Sequence, residues 1–75
     1  MKMFLVLQYD EAALTGSGFP SQSRMDLDCI RHNMENPRCC LGRVYDEITG
    51  EKVGDWTKAA GSNGIEMIEQ LAQTE

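Results

Sequence analysis

Four residues of this chain have side chains suited to metal or nucleophilic chemistry: Cys29, His32, Cys39 and Cys40. Three thiols and an imidazole are donor types that zinc takes in a tetrahedron. Cys29 and His32 are three apart, so a helix sets both on one face. Cys39 and Cys40 come just after the proline that ends such a helix, near enough to fold back toward it. Three arguments oppose a metal centre. Adjacent residues of a strand point to opposite sides, so Cys39 and Cys40 do not readily serve one ion. The spacing matches no finger or ribbon. A free cysteine is commonly a small core hydrophobe. A thiol nucleophile with His32 as its base lacks the orienting group and the pocket that a catalytic pair needs. The expectation is therefore a protein without catalysis and without a cofactor. A small zinc- or thiol-dependent regulator using Cys29, His32, Cys39 and Cys40 is the alternative.

Carboxylate pairs occur at Asp10-Glu11, Asp46-Glu47 and Glu66/Glu69. Each fits a turn, a hairpin arm or a helix surface, and none sits with a group that would split its acidities for general acid–base work. No loop has the ligand spacing of a calcium site. Thr15-Gly16-Ser17-Gly18 lacks the lysine and the strand–loop–helix setting of a phosphate cradle. Basic residues do not cluster with aromatics, which argues against a stacking platform for nucleic acid. Arg24, Arg31 and Arg38 lie seven apart; Arg24 and Arg31 would share a helix face, where pairing with Asp28 and Glu35 at helix spacings is expected rather than a free basic strip.

The 75 residues make one domain, 1–75, with a net charge of −5. The charge is uneven. Residues 1–23 carry Lys2 against Asp10 and Glu11; residues 24–43 carry four arginines against three acids; residues 44–75 carry Lys52 and Lys58 against seven acids. An acidic half repels phosphate and suits a basic partner surface. The same acids also serve plain solubility. The five methionines read as adaptable core filler. The odd number of cysteines, and an apolar run at Met3–Leu7 too short for a secretory or membrane segment, suggest a reduced, cytoplasmic protein with no membrane contact.

These residues need elements to hold them. Met3-Phe4-Leu5-Val6-Leu7 is a continuous apolar run, as in a strand buried on both faces. Asp10 to Ser23 is turn-rich and reads as an exposed loop, with one helical turn at Ala12–Leu14 as an option. Ser23-x-x-Asp26 reads as the start of a helix of about three turns, with Met25, Leu27, Cys29, Ile30, His32 and Met34 at helical spacings. Asn36-Pro37 stops it, because a residue before proline avoids the α region. Arg43 to Trp56 is a hairpin turning at Ile48-Thr49-Gly50-Glu51. Gly42 and Gly54 mark bulges or close packing. Tyr45 and Trp56 read as a cross-strand pair, with Trp56 in the core. Asn63 or Ser62 caps a last helix whose stripe is Ile65, Ile68, Leu71 and Ala72, with Met67 at its edge. The class is α+β: a single small β-α-β-β-α domain, with a three-stranded sheet and two helices on one face.

In size and charge the chain resembles the short acidic proteins with which bacteriophages and mobile elements inhibit host machines. The likeness is one of general character and rests on no motif. It implies a protein-binding inhibitor, of the type that blocks a CRISPR effector or an RNA polymerase. The expected partner is a larger protein with a basic surface, such as a nucleic-acid-processing complex, with no direct contact to nucleic acid. The expected contact residues are Tyr45, Asp46, Glu47, Glu51 and Asp55. A homo-oligomer joined through an exposed sheet face or the methionines is a third reading.

Overall fold

The computed structural model describes residues 2–58 and 63–73. Its elements run β1 (Phe4–Tyr9), α1 (Glu11–Thr15), β2 (Ser21–Met25), α2 (Leu27–Glu35), β3 (Leu41–Asp46), β4 (Lys52–Thr57) and α3 (Asn63–Gln73). The four strands form one sheet in the order β2-β1-β3-β4, with every neighbouring pair antiparallel. The α+β class holds. The three-stranded sheet and the two helices do not: a third helix comes from the segment read as a loop, and a fourth strand from the end of that loop together with Arg24 and Met25, which were expected at the start of the first helix.

α1 is built from local signals. The Asp10 carboxylate accepts a hydrogen bond from the Ala13 amide at 2.9 Å, and Gly16 closes the helix with a φ of 84°, a left-handed conformation that costs glycine little. β2 follows after Pro20 and pairs with β1 in the register Phe4↔Met25 to Gln8↔Ser21. Ser23 is therefore a strand residue opposite Val6, not a helix cap. The cap of α2 is Asp26, which accepts from the Cys29 amide at 2.8 Å. Asn36 ends α2 in an extended conformation before Pro37, as the proline rule requires. The expected cap of α3 at Ser62 lies outside the described residues.

One face of the sheet is the core. Phe4, Val6 and Val44 are fully buried on it, with Met25 and Trp56 beside them; Ile30 of α2 and Met67, Ile68 and Leu71 of α3 pack against them. Trp56 lies opposite Gly42, not beside Tyr45, which pairs with Lys52 across an irregularity in the β3–β4 register. A Cβ on Gly42 would fall 2.0 Å from the Trp56 ring, and one on Gly54 2.4 Å from the Met67 side chain. Both glycines thus admit a large side chain flat against the strand. On α3 the buried stripe is Met67, Ile68 and Leu71, while Ile65 is 58% exposed and Ala72 is exposed. The stripe is rotated by one position toward Met67, which reaches Gly54.

Candidate functional site

The residues expected to bind a partner are held by the β3–β4 hairpin, and their carboxylates are largely taken up within the chain. Asp46 ends β3. Its Oδ1 accepts from the amides of Ile48 at 2.8 Å and Thr49 at 3.0 Å, and its Oδ2 pairs with Lys2 at 3.3 Å. The Thr49 and Ile48 amides, aided by Lys2, hold the carboxyl below the usual aspartate range. Asp46 therefore builds the turn. Glu47 pairs with Arg24 of β2, and Asp55 with Lys52 at 2.9 Å. Glu51 is exposed, and its backbone closes the hairpin by accepting from the Asp46 amide. Of the four acids, Glu51 alone forms no side-chain ion pair among the described residues. Tyr45 is half-buried, on the opposite side of β3 from Val44.

The structure does not gather Cys29, His32, Cys39 and Cys40. Among the described residues no group of three or more His, Cys, Asp or Glu side chains is placed to hold a metal ion. Cys29 is exposed at the start of α2, whereas Cys39 is buried and its thiol lies 3.6 Å from the Leu41 carbonyl. The Cys29 thiol hydrogen-bonds to the Asp26 carboxylate, which together with that negative charge raises its pKa. Desolvation raises that of Cys39. A raised pKa leaves less thiolate at neutral pH, so neither sulfur is activated for attack or for metal binding.

Two surfaces remain. The first is a cleft of about 440 Å³ between α2 and α3, with Met34, Ile65 and Ile68 as its apolar part and Arg31, Glu35 and Glu69 at its rim. The second is the sheet face that α2 and α3 do not cover. Strand alternation puts Leu5, Leu7 and Tyr9 of β1 on it, next to Leu41, Arg43 and Tyr45 of β3. All of these except Arg43 are half-buried. Arg24 and Gln22 extend the face on β2, and Asp55 and Thr57 extend it on β4. The Arg43 guanidinium lies 5.4 Å from the centroid of the Tyr9 ring, within range of a cation–π contact. It forms no ion pair among the described residues.

Sequence reasoning did not single out Leu5, Leu7, Tyr9, Leu41 or Arg43 as site residues. A signal was present in the unbroken run Phe4–Leu7, which suits a strand covered on both sides, while among the described residues the helices α2 and α3 cover one side. The basic and aromatic residues taken to be dispersed are brought together by sheet register at Tyr9, Arg43 and Tyr45. No family model, curated protein or solved structure matches the chain. No helix among the described residues is long and apolar enough to cross a membrane.

Proposed function

We propose that this chain is a non-catalytic protein-binding module that docks through the uncovered face of its sheet. One observation supports this reading above others: three leucines and two tyrosines form a contiguous half-open patch around Arg43. Patches of this kind on small proteins mark interaction sites, and tyrosine and arginine are the residue types that concentrate binding energy at interfaces. A module of this size and charge suits inhibition of a larger machine by steric blockade, the role expected of small acidic phage-type proteins. Docking on a basic surface of a nucleic-acid-processing complex is a second mode. With Asp46, Glu47 and Asp55 paired internally, that mode falls to Glu51 and to the α3 acids Glu66 and Glu69, which are exposed.

The test is capture from host lysate with three immobilised proteins: wild type, Leu7→Glu, and Glu51→Lys combined with Glu66→Lys. Circular dichroism first establishes that each variant is folded. A specific partner retained by the lysine variant and lost by Leu7→Glu supports docking through the sheet. The opposite pattern moves the site to the acids. A partner retained equally by all three defeats both.

A further inference from the structure

Resting on that reading of the open sheet face, we infer that its occupant is an acidic amphipathic helix of the partner protein. Shape, charge and sequence pattern each contribute. The apolar strip formed by β1 and β3 is two strands wide and six residues long, roughly 5 Å between strand axes and about 20 Å in length. That is the footprint of one α-helix, about 10 Å across and needing about 13 residues to span the strip. A whole second domain has far more surface to cover than this strip offers.

The charge on the face is opposite to that of the rest of the chain. Arg24, Arg43 and Lys52 stand there against Asp55 and Glu47, whereas the chain as a whole carries −5. Arg43 is central, opposite Leu7 on one side and Asp55 on the other. Asp55 pairs with Lys52, so among the described residues no carboxylate pairs with Arg43, and an incoming surface can supply one. A covering layer seated on Leu5, Leu7 and Leu41 strips water from this guanidinium, and a buried cation without an acid is costly. A second copy of this chain is a poor cover. A two-fold axis through the middle of the patch sets Arg43 against Arg43, or against Leu7, of the other copy. A helix with leucines along one stripe and glutamates at its margins satisfies both demands. It also turns the two-layer fold into a sheet covered on both faces, the environment that the run Phe4-Leu5-Val6-Leu7 already fits.

The test is an NMR titration of the isotope-labelled protein with two synthetic 14-residue helical peptides. Both carry the same leucine stripe; one has Glu at its margins and the other Lys. The expected result is perturbation of the Leu5, Leu7 and Leu41 methyl signals by the Glu peptide, with affinity at least about tenfold above that of the Lys peptide. Arg43→Glu is expected to reverse that preference. Equal or tighter binding of the Lys peptide at the same signals overturns the acidic partner and leaves docking through the sheet intact. Perturbation confined to Met34 and Ile65 in the α2–α3 cleft overturns both. Absence of binding by either peptide overturns the inference. So does concentration-dependent change of the same signals without peptide, which identifies a second copy as the cover. A uridine 12-mer that shifts Tyr9 and Arg43 more tightly than either peptide overturns it in favour of base stacking.

Discussion

Replacing Gly42 by alanine is the most discriminating perturbation of the framework that carries the open face. A Cβ at this position lies 2.0, 2.3 and 2.4 Å from three ring carbons of Trp56. The ring is 2% exposed and faces the core, so it must slide or leave. Local overpacking that the core absorbs costs about 1–3 kcal/mol. Full expulsion exposes about 150–250 Å² of aromatic surface, which at about 25 cal/mol/Å² amounts to about 4–6 kcal/mol. Gly42 and Trp56 are both buried in the core, so we expect a loss of about 3–5 kcal/mol, between those limits. A domain of this length has about 4–11 kcal/mol in total, so the variant loses at least about a quarter of it, with Tm lowered by at least about 12 °C. Urea titrations followed by circular dichroism measure the change in every variant, with tryptophan fluorescence added where Trp56, the single tryptophan, is kept. Combining Gly42→Ala with Trp56→Leu isolates the contact, and a stabilising osmolyte keeps both variants measurable. The coupling energy is expected to exceed about 2 kcal/mol. A Gly42→Ala cost below about 1 kcal/mol, or a coupling below about 0.5 kcal/mol, would refute the packing argument.

Neighbouring isoleucines of α3 are expected to behave differently. Ile68→Ala should cost about 2–5 kcal/mol by leaving a cavity, whereas Ile65→Ala, at an exposed position, should stay within about 0.5 kcal/mol; denaturant melts of both settle the rotation of the helix. The Asp46 carboxyl titrates below its ordinary value in the folded state, so its contribution is present above the unfolded pKa and is lost as pH falls through the folded one. Tm measured downward from about pH 4 should therefore fall less in Asp46→Asn than in wild type, and parallel curves would show that the turn does not depend on that charge. Iodoacetamide should modify Cys29 slowly at neutral pH because Asp26 holds its thiol protonated, and faster in Asp26→Asn. An unchanged rate would remove the assigned cause.

Legibility in the sequence followed the strength of local pattern. The apolar run at Phe4–Leu7, the stop at Asn36-Pro37 and the turn around Gly50 are local signals, and all three stand in the structure. Ser21-Gln22-Ser23-Arg24 has no apolar alternation, because β2 is an edge strand that buries only Met25. Its strand identity comes from pairing with β1, which no window of sequence contains. Asp10 and Gly16 did offer a cap and a stop for α1, but the five residues between them are too few for a helical period to emerge. The acidic hairpin misled for a related reason. Asp55 finds its cation locally, in Lys52 three residues before it, but Asp46 and Glu47 are taken up by Lys2 and Arg24, which are distant in sequence. Counting charges along the chain finds an excess; sheet register decides which of them remain unpaired.

The cations on the open face admit an explanation that needs no partner. Charges projecting from an exposed sheet prevent two copies from stacking, and small proteins use them for that purpose. This protective role and the docking role draw on the same physics. A guanidinium that penalises a second identical face does so because burial without a carboxylate is costly, and that penalty vanishes when the incoming surface supplies the carboxylate. The two roles diverge at the leucines. Protection alone gains nothing from Leu5, Leu7 and Leu41, since polar residues there would keep the sheet apart more effectively while Phe4, Val6 and Val44 held the core on the other side. Three leucines kept partly exposed on a chain this short make sense when something covers them, and Arg43 at their centre, without an ion pair among the described residues, specifies the sign of what does.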